Sequence, residues 1–256
     1  MWVLATWDIT WLLSQLQKIF SFYEEKSELS RLNKKRKLKV SKELLEVLLY
    51  SLKFCKLTKG RYDITLGKNI LHRKNKEKET SISCSYKDIE INKEKVTIKN
   101  SEALIDLGSV AKGYITDKLV EFLKDKGVKE GMVDSRGDII LFGKNKRKIS
   151  IQHPRKKEES LCTIHVKDCG IATSGDYNQF AGSFKKSHIL NQQNLASVTV
   201  VAPTLAEADI YATALFVLEK KEREKIIKKN KKIKVFTVDE YLKTKYYNNF
   251  EELLCK

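Results

Sequence analysis

The apolar and polar positions of this chain fall into two alternating periods. Leu12, Leu13, Leu16, Ile19, Phe20 and Tyr23 recur at helical spacing and predict an amphipathic helix over residues 11–24. Residues 26–33 (KSELSRLN) follow as a polar connection containing capping types. Ser41 is placed to cap a second helix, whose apolar face carries Leu44, Leu45, Val47, Leu48, Leu52 and Phe54 and which ends before Gly60. Residues 61–66 (RYDITL) read as a short strand and 73–80 as a charged loop. Ile89, Ile91, Val96 and Ile98 then alternate about residues 92–95, the pattern of a hairpin. A second strand–turn–strand signal spans 132–142, with the turn at 134–138. A third pairs 148–152 with 161–166 around a basic loop. Residues 170–177 (GIATSGDY) are small and polar, a candidate ligand loop. Residues 196–202 form an apolar strand closed by Pro203. A helix over 207–218 presents Ala212, Ala214, Leu215 and Leu218. A basic helix, a strand over 234–238 and a polar tail complete the order.

The most informative stretch is 105–117 (IDLGSVAKGYITD). Ala103, Leu104 and Ile105 predict a buried strand running out to Asp106. Gly108 breaks it, Ser109 stands where an N-cap belongs, and Val110, Tyr114, Ile115, Leu119, Val120 and Leu123 repeat at helical spacing as far as Gly127. The first turn of such a helix has unpaired N–H groups and the positive end of the helix dipole, which suit a phosphate. Lys112 adds a positive charge, and Asp106 and Ser109 add hard oxygens of the kind a phosphate-bound Mg²⁺ uses. Read alone, the same pattern also fits a helix that binds nothing.

The elements mix without regular βαβ repetition and contain no dinucleotide glycine fingerprint. We therefore expect an α+β fold, mostly antiparallel sheet packed on helices, in one domain over 1–256. The 256 residues are enough for a sizeable core, and two prolines and eleven glycines leave little material for long linkers. The net charge of +17 invites a nucleic-acid reading. However, the lysines are spread along the chain, interleaved with glutamate and not with aromatics, which favours solvated faces and no nucleic-acid partner. Five scattered cysteines without a CxxC pair indicate neither zinc nor a disulfide framework. The N-terminal stretch lacks the parts of a signal peptide and no apolar run is long enough to span a membrane. The chain as given therefore reads as cytoplasmic, or as extracytoplasmic if its start is incomplete.

Asp209 and Thr213 lie four apart in a predicted helix, so they project from one face and could share a cation. The alternative is an aspartate favoured by the helix dipole and a threonine bonded to its own backbone. His188 is either a general base or a structural histidine. His72, His153 and His165 show no metal-ligand spacing. Tyr23, Tyr62 and Tyr177 could stack on a flat ring or sit in a core.

These pieces occur together, and in order, in one family. The chain resembles the FAD:protein FMN transferases, the ApbE-like flavin transferases, through LAT at 4–6, FYEEKSELSRLN at 22–33, GRYDITLG at 60–67 and IDLGSVAKGY at 105–114. The match continues with RGDI at 136–139, IATSGDY at 171–177, SHIL at 187–190, SVTVVAP at 197–203 and EADIYATALFVL at 207–218. The resemblance implies a T-fold-like α+β architecture. It also implies an enzyme that uses Mg²⁺ and FAD to attach FMN, through a phosphoester, to a Thr or Ser hydroxyl in a target bearing D-x-x-S/T-G-A-S/T. Asp106 and Lys112 would then contact FAD. Tyr23, Arg61, Tyr62 and Asp63 would line the flavin or adenine pocket, with Leu4 and Leu190 nearby. Ser109, Asp209 and Thr213 would hold the metal, and His188 and Asp209 would be catalytic.

Three departures stand out. HILNQQN replaces the family's HIIDPxTG, LAT replaces MGT close before Tyr23, and Arg136 replaces the first glycine of GGD. The altered turn after His188 keeps open an FAD pyrophosphatase giving FMN and AMP. The charge keeps open a flavin-binding protein without catalysis.

Overall fold

A computed structural model describes residues 2–74, 83–176 and 194–255. The chain divides into two compact units, Met1–Ala111 and Lys112–Lys256.

The first unit begins with α1 (Trp2–Phe20), which starts well before the expected residue 11, since nothing between Trp2 and Trp11 breaks a helix. The expected polar connection is instead a short helix, α2 (Glu28–Lys35). Ser27 caps it, accepting from the Ser30 N–H at 3.0 Å, and Arg36 closes it in the left-handed region at φ 63°. Eight residues are enough here because Leu29 and Leu32 are fully buried, so packing rather than propensity holds the helix. β1 (Lys37–Lys39) follows, then α3 (Lys42–Leu57) with Ser41 as its N-cap, as expected. Glu28 ties the two helix starts together by accepting from the Ser41 N–H at 2.6 Å and its hydroxyl at 2.7 Å.

Residues 61–66 are bends and turns rather than the expected strand, and only Leu66 bridges to Leu104, in parallel. The reason is Asp63, whose carboxylate accepts from the Thr65 N–H and hydroxyl at 2.9 and 2.7 Å and curls the chain. After α4 (Gly67–Lys74), the expected hairpin forms as β2 (Ile89–Asn92) and β3 (Lys95–Ile98), in a sheet ordered β1-β3-β2.

The second unit carries α5 (Ala111–Asp125, its first residue belonging to the first unit) and a six-stranded antiparallel sheet. The strands are β4 (Gly131–Ser135), β5 (Asp138–Phe142), β8 (Cys169–Gly175), β9 (Leu195–Ala202), β10 (Lys234–Asp239) and β11 (Thr244–Tyr247). They are ordered β11-β10-β9-β8-β5-β4. The expected ligand loop at 170–177 is thus largely the central strand β8. Ile171 and Ala172 are buried there, and Gly170 leaves room for the start of the next helix, since a Cβ would lie 2.5 Å from the Leu205 amide nitrogen. The expected polar tail supplies β11 and a 3-10 turn, with Phe250 stacked on Phe236 and Tyr246. β6 (Arg147–His153) and β7 (Lys156–Val166) form a separate hairpin that absorbs most of the expected basic loop.

α6 (Leu205–Phe216) lies against β8 and β9, with ten of its twelve residues buried. Thr204 caps its start, and at its far end the Arg223 guanidinium of α7 (Lys220–Lys229) donates to the Leu218 carbonyl at 3.0 Å. Among the described residues, no helix is long and apolar enough to cross a membrane, and all five cysteines are free thiols.

Candidate active site

In the first unit the site residues hang on an extended segment, 103–107. Its Ile105 peptide is held from both sides by the buried Asn33 amide, which donates to the Ile105 carbonyl and accepts from its N–H, each at 2.8 Å. The Leu104 and Asp106 N–H groups donate to the Thr65 and Ile64 carbonyls at 3.0 and 2.8 Å. This pairing replaces the expected strand: the backbone is satisfied by one side chain and one neighbouring turn.

Asp106 follows and accepts from the Gly108 N–H at 3.1 Å; burial pushes its carboxyl above the usual carboxylate range. Ser109 is not the N-cap expected of it. The helix begins two residues later, after a turn in which the Val110 and Ala111 N–H groups both bond to the Leu107 carbonyl, and the Ser109 hydroxyl instead pairs with the Tyr62 hydroxyl at 2.8 Å. Tyr62 itself is buried beside Phe54. Asp63 faces inward, its second oxygen accepting from the Tyr86 N–H at 2.8 Å. Tyr23 is exposed and packs edge-on against Phe22, and Arg61 is exposed.

In the second unit three charged groups converge. Lys112, on the first turn of α5, donates to a carboxylate oxygen of Asp138 at the start of β5. Asp138 is buried, and its other oxygen accepts from the Thr173 N–H of β8 at 3.4 Å. Asp209 of α6 is 5% exposed and accepts from the Gly113 N–H at 3.4 Å. Burial pushes the Asp209 carboxyl up to about 7 against the opposing pull of Lys112, while Asp138 and Asp117 add to the rise. Burial works against the Lys112 ammonium, yet Asp209 and Asp138 together hold it above its ordinary value. Lys112 therefore stands between two carboxylates, with the Arg136 guanidinium near enough to act on it as a second positive charge.

This convergence requires α5 and α6 to approach closely. Gly113 permits it, since a Cβ there would stand 2.6 Å from the Leu205 carbonyl oxygen and the Ala206 Cα. Asp117, one turn further along α5, locks the register by accepting from the Leu205 and Ala206 N–H groups at 2.8 and 2.9 Å. Thr213 sits one turn beyond Asp209 and shares a hydrogen bond of 3.1 Å with the Ser174 hydroxyl of β8.

Asp209 and Thr213 are hard oxygen donors, and the carboxylate lacks full compensation for its charge. A divalent cation fits that donor set. Among the described residues no group of three or more His, Cys, Asp or Glu could hold a metal, so any cation here relies on hydroxyl, backbone or phosphate oxygens as well.

Of the expected residues, Lys112 and Asp209 are brought together, and Thr213 shares the Asp209 helix face. In the first unit, Tyr62 and Ser109 are brought together, while the Asp63 carboxylate is taken up by Thr65 and Tyr86 and that of Asp106 by Gly108. His188, Leu190 and Tyr177 lie outside the described residues, as does the side chain of Leu4. Asp138, Asn33 and Asp117 were not singled out beforehand. Asp138 had a signal, a lone acid opening the apolar run 139–142. Asn33 and Asp117 close the quoted stretches 22–33 and 105–117, but nothing local gives their role, because each serves backbone groups distant in sequence.

The ApbE family model matches residues 6–237. The chain belongs to the ApbE family. Among its relatives is the FAD:protein FMN transferase of Haemophilus influenzae, 29% identical over 87% of this chain and 75% of that protein. The enzyme of the same name from Escherichia coli K12 is 26% identical, over 83% of this chain and 70% of its own length. Among solved structures, an ApbE protein from Thermotoga maritima superposes with a TM-score of 0.85 at 23% identity, covering 98% of this chain and 91% of that one. The flavin transferase ApbE from Vibrio cholerae gives 0.83 at 24% identity, covering 98% and 90%. The α+β architecture is that of ApbE structures, and the chain is an enzyme of the transferase class.

Proposed function

We propose that this ApbE protein transfers FMN from FAD to a Thr or Ser hydroxyl of an acceptor protein with Mg²⁺ present, and releases AMP. The observation that carries this reading is the buried Asp209, with Lys112 and Asp138 beside it and Thr213 one turn on. The acceptor oxygen forms a bond to the phosphorus on the FMN side of the pyrophosphate, the bond from that phosphorus to the bridging oxygen breaks, and AMP departs with the electron pair. Charge builds on the bridging oxygen, and Lys112 is a protein cation of this cluster that offsets it. Asp138 keeps the Lys112 ammonium in place. Asp209 and Thr213 are the residues that would hold Mg²⁺, which supplies positive charge to the phosphates when bound. Ser109 as a further metal contact, and Asp106, Tyr23, Arg61, Tyr62, Asp63, Leu4 and Leu190 at the flavin nucleotide, are proposed from the resemblance. His188 is proposed as the base that takes the hydroxyl proton, and D-x-x-S/T-G-A-S/T as the acceptor motif.

A second reading keeps the same cleavage with water as acceptor. It is favoured by residues 188–194 (HILNQQN), which lack the Asp, Pro and Gly of the family turn. Incubation with FAD, Mg²⁺ and a protein bearing the motif separates the two: flavin fluorescence that survives denaturation of the acceptor means transfer, and free FMN with AMP alone means hydrolysis. Replacing Lys112 by Ala removes the cation facing the phosphates. FAD affinity is expected to fall at least tenfold, and an unchanged titration would remove Lys112 from the site.

A further inference from the structure

The first unit contains a groove to which the proposed function assigns no role. It has a volume of about 660 Å³ and lies between the outer face of α3 and β2. Leu49, Leu52, Tyr86, Ile89 and Ile91 form its apolar surface, and Leu49 stands 51% exposed. The wall is built in place: Tyr86 is fixed by its N–H bond to Asp63, and its ring packs at the bare face of Gly60, where a Cβ would lie at 3.4 Å.

Two further features select the occupant. First, among the described residues, β2 is the outer strand of its sheet and pairs with β3 alone. The Ile98 N–H donates to the Arg36 carbonyl on the β1 side, so the Ile89–Ile98 and Ile91–Val96 pairs are the non-hydrogen-bonded ones. The N–H and C=O of Ile91 and the C=O of Ile89 therefore point away from β3, along an edge that no described strand covers. Second, the groove is also lined by Lys53, Lys56 and Lys87 and by no carboxylate. The nearby acids are engaged elsewhere: Glu90 pairs with Lys99 at 2.5 Å, and Asp88 accepts from the Ser85 N–H at 2.8 Å.

We propose that this groove is a docking site for an extended acidic peptide segment of a partner protein. The segment adds as a strand along β2. Its side chains on the groove side, at every second residue, include apolar ones that lie on Leu49, Leu52 and Ile91 and Asp or Glu ones that meet the three lysines. The backbone edge supplies affinity, and the lysines select against neutral or basic segments.

The test uses the full chain and a fluorescently labelled, capped heptapeptide whose groove-facing positions, every second residue, carry both Val and Glu, with Thr between them. Fluorescence anisotropy is expected to show saturable binding in the micromolar range that weakens as salt rises. Binding is expected to be at least tenfold weaker for the variant Lys53→Ala, Lys56→Ala, Lys87→Ala. These positions are exposed, and circular dichroism checks that the variant is folded. A peptide N-methylated along its pairing edge is expected not to bind. Absence of saturable binding, equal binding by the variant, equal binding of a peptide with Lys in place of its acids, or equal binding of the N-methylated peptide would each overturn the proposal. So would concentration-dependent self-association abolished by Leu49→Asp, since a second copy would then cover the groove.

Discussion

Asn33 in the first unit and Asp209 in the second show how much a single side chain can set locally. The Asn33 amide copies a neighbouring strand's peptide group, meeting both the N–H and the C=O of Ile105. Truncation to Ala leaves two buried backbone groups without partners, at about 1–3 kcal/mol each. Asn33→Ala is therefore expected to lower unfolding free energy by about 2–6 kcal/mol in urea titration; a loss below about 0.5 kcal/mol, the scale of an ordinary surface substitution, would mean that the pairing contributes little. Asp209 behaves in the opposite sense. Its carboxyl is raised by burial from 3.8 to about 7, so the native state binds the proton that the unfolded chain has already lost between those values. Its contribution to metal-free stability accordingly declines as pH rises through that window. Asp209→Asn is expected to melt several degrees above the parent at pH 8 without Mg²⁺ and level with it at pH 4. Added Mg²⁺ should raise the melting temperature of the parent at pH 8 but not that of the variant. A variant that melts lower at pH 8, or gains equally from Mg²⁺, would contradict the assignment.

At the scale of elements, the close crossing of α5 and α6 is what brings Lys112 and Asp209 together. Gly113 provides the space and Asp117 the register. Gly113→Ala puts a methyl group into the Ala206 and Leu205 backbone. The expected cost is about 1–3 kcal/mol, together with a loss of activity larger than the loss of folded protein at the assay temperature. Equal activity per folded molecule would show that the crossing is tolerant.

What could be read in advance follows the same division. α3, the β2–β3 hairpin, β4, β5, β9 and α6 were legible, because each has a sustained period and a capping or turn signal. α2 was not, since its polar sequence hides a two-leucine buried stripe. β8 was not, since Gly170 and the small polar residues after it resemble a loop, while their placement depends on α6 crossing above. The motifs point to Asp106, Lys112 and Asp209, and of these the structure brings Lys112 and Asp209 near each other, because the Gly113 crossing is written into the same stretch as Lys112. Ser109 was misplaced by two residues of helix because its hydroxyl pairs with Tyr62, a partner 47 residues away that no local rule reaches.

Over the whole molecule, the charge of +17 sits largely on exposed lysines, and most of the described ion pairs are surface ones such as Lys39–Glu94 and Lys156–Glu159. Such pairs contribute little to stability. The charges of the proposed site are few: the buried Asp138 and Asp209, and the half-exposed Lys112 between them. Their use in moving FMN onto a protein hydroxyl is tested most directly by intact mass. An acceptor protein bearing the motif is incubated with FAD and Mg²⁺ and either the parent enzyme or Asp209→Ala, then denatured and weighed. The account predicts an added FMN on the acceptor with the parent and none with the variant. Undiminished addition by the variant, or no addition by the parent while FMN and AMP accumulate, would contradict it.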